Sequence, residues 1–310
     1  MKRTACIGEC MVELSEHPGG GLTRSFGGDT LNTSLYLARL GVPVDYVTVL
    51  GVDPFSEEML QAWASEGIGT GLIPCLPGRL PGLYLIRTNE TGERAFFYWR
   101  DSAPVRQLFR LPETDAITAA LCQAELVYLS GVTLSLYDDD SRARLFGTLE
   151  RARAEGARIA FDTNFRPRGW PDIAIAREVY ERAFRRSDIV LASVEDHELL
   201  FGTDDPDAVA DRLRAAGVAE FVVKLATPAC HVAASGRLVL VAAEHVSNVV
   251  DTTAAGDSFA AAYLAARRAG QDPVAAARIG HRLAGAVVGH RGAIIPRAAM
   301  PDIPLFPKAP

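Results

Sequence analysis

Residues 249–259 read Val-Val-Asp-Thr-Thr-Ala-Ala-Gly-Asp-Ser-Phe and lead into an alanine-rich run, AAAYLAARRAG, at 260–270. That run has a helical composition, so a stretch of small residues and then a carboxylate stand at a helix mouth. A helix N-terminus presents unpaired N–H groups and the positive end of the dipole. Ala254, Ala255 and Gly256 let an anion approach that backbone closely, which suits phosphate. Asp257 carries the same sign of charge as phosphate and would ligate it poorly. It suits a base that takes a proton from a hydroxyl attacking that phosphate. It reads equally well as an ordinary helix N-cap, where Asp is common.

The rest of the chain places this stretch in an α/β fold. The 310 residues suffice for a sizeable core. Hydrophobic residues make up 48% and charged residues 23%, an ordinary globular balance. The net charge of −6 argues against a dedicated nucleic-acid binder. Five cysteines (Cys6, Cys10, Cys75, Cys122 and Cys230) are widely spaced with no CxxC pair, which predicts a reduced, cytoplasmic protein. The apolar run at the start is broken by Glu9 and Glu13, which makes a poor signal peptide. No apolar run approaches the roughly 18 residues of a membrane helix.

TACIGECMVEL reads as a first strand. Asp29 or Thr30 can cap a helix that Gly41 ends, VDYVTVLG is the next strand, and Asp53-Pro54 opens a helix ending near Gly67. ELVYLSG, ARIAFDTN, DIVLAS and EFVVKLA are near-continuous apolar runs, and the first three precede charged helical stretches. Such runs are strands buried on both faces, and their alternation with helices predicts a three-layer fold with a central, mostly parallel sheet. The chain 1–310 is expected to form a single domain.

Residues 82–104, GLYLIRTNETGERAFFYWRDSAP, break that rhythm with a hairpin turning in 89–93. Its strands mix Tyr84, Phe96, Tyr98 and Trp99 with Arg87 and Arg100. They fit a half-buried sheet with a solvated face, and also a lid whose inner face meets a ligand. A second hairpin turning at Ser235-Gly236 reads as structural, and the tail from 304 reads as loose. Trp63 and Trp170 read as packing residues, and DDDSR at 138–142 as a helix cap. The six histidines lack metal-ligand spacing, and no GxxxxGK[ST] loop is present.

DTTAAGDSF closely resembles the DTxGAGD signature of ribokinase-type (PfkB-like) carbohydrate kinases, and FGGDTLNTSLYLARLG resembles their sugar-gripping GG-x-x-x-N motif. YWRDSAP, DTNFRPRGW, LASVEDHELLFG and HRGAIIPRAAMP resemble the branch of that family that phosphorylates the C6 hydroxyl of 2-keto-3-deoxygluconate with ATP. The resemblance runs the whole chain. It implies a β lid formed mainly by 82–104 with a contribution from about 11–27, and a homo-oligomer assembled through that lid. Gly27, Gly28, Asp29 and Asn32 would meet the sugar acid, and Tyr84, Tyr98 and Arg100 would close over it. Arg166 would sit near its carboxylate or the phosphoryl group. Asp257 would be the base, with Ala254, Ala255 and Gly256 offering N–H groups to the phosphoryl charge. Asn164, Ser193, Lys224, Ala226, Ala229 and Gly256 would border the nucleotide, and Asp196 and Glu195 would act on Mg²⁺ through water. A monovalent cation such as K⁺ is expected near Asp251 and Thr253. A carboxylate substrate suits a guanidinium fork, which is what Arg100 and Arg166 supply. Either could instead serve a surface ion pair.

Three positions depart from the family pattern. Ala254 stands where the signature has Gly. Ser193–Asp196 reads S-V-E-D where the family has N-x-x-E. Ala226 and Ala229 stand where relatives usually have glycines.

Overall fold

A computed structural model describes residues 2–17, 20–88, 94–234 and 236–306. The strands are β1 (Thr4–Ile7), β2 (Met11–Glu16), β3 (Leu22–Gly27), β4 (Val44–Val47), β5 (Leu50–Gly51), β6 (Cys75–Leu76), β7 (Leu83–Thr88), β8 (Arg94–Trp99), β9 (Leu126–Ser130), β10 (Arg158–Asp162), β11 (Ile189–Ser193), β12 (Glu220–Lys224), β13 (Ala229–Ala234) and β14 (Arg237–Ala242). The helices are α1 (Asp29–Arg39), α2 (Pro54–Ser65), α3 (Thr114–Cys122), α4 (Gly131–Ser135), α5 (Asp139–Ala154), α6 (Ile173–Phe184), α7 (Val194–Phe201), α8 (Pro206–Ala215), α9 (Ala255–Arg268) and α10 (Pro273–Val288).

Eight strands form one sheet in the order β14-β13-β12-β11-β10-β9-β1-β4. Neighbours run parallel from β4 to β12, and β13 and β14 add antiparallel at one edge. The central strands alternate their buried residues between two cores. Ile7, Leu129, Phe161, Val190 and Val223 join α3, α5, α6 and α8 on one face. Cys6, Tyr128, Ala160, Leu191 and Val222 join α1, α2, α9 and α10 on the other. A parallel sheet covered on both faces requires such continuous apolar strands. The C-terminal ends of β9 to β12 bring Ser130, Asp162, Ser193 and Lys224 to one edge of the sheet, with Asp162 opposite Ser130 and Ser193 opposite Lys224. Ligands of open α/β sheets bind along that edge.

TACIGECMVEL is not one strand. It divides at Gly8–Cys10 into β1, in the large sheet, and β2, in a separate four-stranded sheet ordered β3-β2-β7-β8. The expected hairpin is β7 and β8, and its turn at 89–93 lies outside the described residues. The same holds for Ser235 of the second hairpin and for 307–310 of the tail.

The local signals at α2 act as expected: Asp53 caps it through Phe55 N and Ser56 N, and Gly67 follows it at φ +84°. Asp138 caps α5 through Ser141 N. Trp63 and Trp170 are buried against Tyr46 and Tyr180. The expectation for Asp29 and Thr30 needs correction. Gly28 is the N-cap of α1 and no side chain caps it. Asp29 is inside the first turn and its carboxylate is used elsewhere.

Candidate active site

Asp257 lies in the first turn of α9 and is half-buried. It is not the cap. Ala254 holds that position in the left-handed region, at φ +60° and ψ +16°. The chain must reverse there to aim the first N–H groups of α9 outward. Helical geometry gives the Gly256 and Asp257 N–H groups no intrahelical acceptor. Ala255 N–H, expected to face an anion as well, donates instead to Thr252 O at 3.2 Å. The anion site is therefore narrower than its sequence suggests.

The Asp257 carboxylate accepts from Asn32 Nδ2 at 2.8 Å. Thr33 Oγ1 donates to Asp257 O at 3.2 Å, tying α1 to α9 twice. Burial pushes the Asp257 carboxyl up to about 8. Asp29 and then Asp162 add to the rise, against Asn32 and Lys224. Such a group holds a proton near neutrality and can exchange it with a substrate hydroxyl.

Around it lies a set of acids. Asn164 Nδ2 donates to Asp29 Oδ2 at 2.7 Å, and Asn164 itself sits at φ +27°. Lys224 Nζ donates to both oxygens of Asp162 at 3.1 Å. Burial works against the Lys224 charge, but the carboxylates of Asp162 and Asp196 more than offset it, so Lys224 stays an ammonium ion. A Cβ at Gly256 would lie 3.6 Å from Lys224 Nζ, so this ammonium stands beneath the anion site rather than at an exposed strand end.

Asp196 accepts from Thr163 Oγ1 at 2.6 Å and from Phe165 N at 3.0 Å, while its own N–H donates to Ser193 Oγ at 3.1 Å. Glu195 is exposed and joins none of these bonds. Of the two acids expected to act on magnesium, the structure brings only Asp196 into the network. Among the described residues no group of three or more His, Cys, Asp or Glu side chains could hold a metal ion. Magnesium fits this donor set through water, because it keeps several waters when bound.

The tandem glycines have a steric reason. A Cβ at Gly27 would lie 2.0 Å from Tyr84 Oη, and one at Gly28 would lie 2.1 Å from Glu9 O. Tyr84 hydrogen-bonds Glu13. Its ring lies 5.8 Å from that of Tyr98, and the Arg100 guanidinium lies 5.9 Å from the Tyr98 ring centre. In register, Glu13, Tyr84 and Tyr98 lie across one face of the small sheet. Arg100, where the chain leaves β8, forms an ion pair with Glu9, which is only 3% exposed.

Arg166 is exposed, donates to Phe165 O at 2.8 Å, and has no carboxylate partner among the described residues. Arg168, two residues on, reaches Phe96 O of β8 at 3.4 Å, so the Arg166 loop abuts the small sheet. In the loop expected to border the nucleotide, Leu225 N donates to Ala229 O at 3.0 Å, closing a tight turn that leaves Ala226 exposed. Among the described non-glycine residues only Asn164 and Ala254 have positive φ. Ala226 and Ala229 thus fit this turn without backbone strain.

No sequence motif singles out Asp162 or Glu9. Asp162 carried a usable signal, a carboxylate ending a buried parallel strand. Glu9 was hidden inside what read as one continuous strand.

The fold and the helix-mouth carboxylate fit a kinase that acts on a sugar. Residues 1–300 match the pfkB family carbohydrate kinase model, and the chain belongs to that family. It is 45% identical over 307 residues to a 2-dehydro-3-deoxygluconokinase of Dickeya dadantii (strain 3937), with 97% of this chain and 99% of that protein covered. It is 44% identical over 307 residues to a 2-dehydro-3-deoxygluconokinase of Escherichia coli (strain K12), with the same coverage. Among solved structures it is similar to a fructokinase with bound ATP from Xylella fastidiosa, at 26% identity and a TM-score of 0.84, covering 97% of this chain and 96% of that one.

Proposed function

We propose that this carbohydrate kinase transfers the γ-phosphoryl group of ATP to the C6 hydroxyl of 2-dehydro-3-deoxygluconate, also called 2-keto-3-deoxygluconate, by direct in-line displacement. The observation that carries this reading is the bond between Asn32 of the sugar-gripping motif and Asp257 at the anion site. It supports a proton acceptor at the point where, in this reading, a sugar hydroxyl and a phosphate meet. The two relatives that share nearly half their residues with the chain point to the same substrate.

Asp257 takes the hydroxyl proton as the oxygen attacks phosphorus. The Gly256 and Asp257 N–H groups and Lys224 face the charge that develops on the phosphoryl oxygens. Asn32 fixes the carboxylate, and Gly27 and Gly28 let the substrate approach the backbone, with Asp29 beside them. Asn164, Ser193, Ala226 and Ala229 border the nucleotide. Mg²⁺, arriving with ATP and reached from Asp196 through water, supplies charge neutralisation. Arg100 and Arg166 hold the substrate carboxylate, and the small sheet closes as a lid with Tyr84 and Tyr98 on its inner face. A monovalent cation fits beside Asp251, whose carboxylate binds Thr253 N and Gly292 N just ahead of the anion site.

Assembly through the outer face of the small sheet belongs to the same reading. Leu22, Phe97 and Trp99 are exposed there. The five cysteines are all free thiols, which supports a reducing compartment. No helix among the described residues is long and apolar enough to cross a membrane.

The test is ADP release with Mg-ATP and a panel of 2-keto-3-deoxygluconate, 2-keto-3-deoxygalactonate, fructose and ribose. Turnover confined to the keto acids is expected. Turnover on fructose or ribose alone would keep Asp257 as base and sink the carboxylate role of the two arginines.

A further inference from the structure

The ion pair between Glu9 and Arg100 stands at the root of the small sheet. Glu9 lies between β1 and β2, where the chain passes from the large sheet to the small one, and Arg100 lies where the chain returns from β8. Its surroundings are tight. A Cβ at Gly82 would lie 3.0 Å from Glu9 Oε1 and 3.2 Å from Arg100 Cβ. Arg106 braces the same point, with Nε donating to Arg100 O at 3.2 Å and Nη1 to Leu136 O at 2.9 Å.

The pair is poorly satisfied for one so buried. Both carboxylate oxygens of Glu9, and Nε and Nη2 of Arg100, are shielded from solvent; Nη2 meets Oε2, while Glu9 Oε1, Arg100 Nε and the Tyr137 hydroxyl have no hydrogen-bond partner among the described residues. A purely structural buried pair would align its donors and acceptors, because unsatisfied buried charge is costly. Burial also pushes the Glu9 carboxyl upward, opposed by Arg100 and then Arg106. The Arg100 side chain keeps 18% of its surface accessible, beside Tyr98.

We propose that Glu9 is a positioning residue for substrate selection: its buried carboxylate holds the Arg100 guanidinium at the root of the small sheet so that the part of the guanidinium left accessible meets the carboxylate of the sugar acid. The inference rests on the reading above, in which Arg100 grips that carboxylate. Glu9 touches no reacting atom in this scheme. It also neutralises Arg100 until an acid substrate arrives, so neutral sugars gain nothing from the arginine. Without Glu9, Arg100 has no counterion at its root and swings toward water.

The experiment compares kcat and KM for 2-keto-3-deoxygluconate and for 3-deoxyfructose, its neutral counterpart with CH₂OH in place of the carboxylate. The proteins are wild type, Glu9→Gln, Glu9→Asp, Arg100→Ala and the Glu9→Gln/Arg100→Ala double variant. Glu9→Gln should raise KM for the keto acid about tenfold, the range of a charged hydrogen bond, with kcat little changed and KM for 3-deoxyfructose unmoved. Glu9→Asp should recover part of the loss, and Glu9→Gln should add nothing once Arg100 is absent. If Arg100→Ala leaves the keto-acid KM unchanged, the parent reading fails. If Arg100→Ala raises it but Glu9→Gln does not, or if Glu9→Gln raises both KM values alike, the role of Glu9 is overturned while Arg100 stands. Should Glu9→Gln not fold, the same two KM values for Glu9→Asp decide: a rise for the keto acid alone supports the proposal, and no selective rise overturns it.

Discussion

Asn32 Nδ2 and Asp257 Oδ2 lie 2.8 Å apart across 225 residues of sequence. The bond leaves the other carboxylate oxygen of Asp257 to be aimed by α1, while α9 supplies the N–H groups behind it. The proposed base and anion site are thus set by one helix and oriented by another. Replacing Asp257 by Asn keeps the shape and removes the proton acceptor. Turnover should fall by about 10²-fold to 10⁴-fold with the circular-dichroism spectrum intact. Near-wild-type turnover would remove Asp257 as the base.

The elevated Asp257 carboxyl has a signature in the pH profile. Because burial and the neighbouring Asp29 and Asp162 push it up to about 8, the free enzyme carries a proton there at neutral pH. The base form appears only as pH rises, so kcat/KM for the keto acid should climb on an acid limb with its midpoint near 8. Asn32→Ala removes a donor that favours the charged form and should move that limb to higher pH. A limb centred near 4 would show that Asp257 is an ordinary carboxylate.

The same shift sets a stability cost. A carboxyl raised in the folded state lends stability that is fully present below its ordinary value of 3.8 and is lost as pH rises through about 8. Asp257→Asn has no charge to bury. Its Tm should exceed that of the wild type, by more at pH 9 than at pH 5. Even about 1 kcal/mol would be visible as a shift of roughly 2 °C. A gain that does not grow with pH would contradict the electrostatic origin.

Ala254 at φ +60° is the one alanine among the described residues in the left-handed region. There a β-carbon crowds the following carbonyl at a cost of roughly 1–2 kcal/mol. Ala254→Gly relieves that crowding and frees the unfolded chain at a cost of only about 0.4–1 kcal/mol, so a small net gain in stability is expected. Ala254→Val adds a branched side chain and should lose about 1–2 kcal/mol in urea denaturation. Its turnover should drop too, because the turn aims the N–H groups of Gly256 and Asp257. Full turnover in Ala254→Val would mean the turn does not set the anion site.

How much of this site the sequence discloses follows from how local each signal is. The helix mouth at 251–257 is legible because small residues, a carboxylate and a helical run are contiguous. The three-layer fold is legible because strands buried on both faces must be apolar throughout. The division of TACIGECMVEL between two sheets is not legible, since strands of either sheet carry the same local pattern. Asp29 reads as a cap because Asp favours caps, and only the fold brings Asn164 to it. Glu9 with Arg100, and Asp162 with Lys224, pair across distant segments whose residue types are unremarkable one at a time.

Lys224 and Asp162 supply the last prediction. Asp162 is 4% exposed in its side chain and Lys224 21%. Lys224→Met leaves Asp162 buried without its cation, a change that typically costs about 3–5 kcal/mol. Unpaired, Asp162 is raised by burial and, further, by the charges of Asp196 and Asp29, so the loss should be smallest in acid and grow as pH rises. Urea denaturation at pH 5.5 and pH 8 reads this directly. Adding Asp162→Asn removes the orphaned charge and should recover much of the stability. Turnover should not return with it if Lys224 serves phosphoryl transfer as proposed, because its Nζ lies close to Gly256 of the proposed anion site. If stability and turnover return together in the double variant, the pair is structural and Lys224 has no part in phosphoryl transfer.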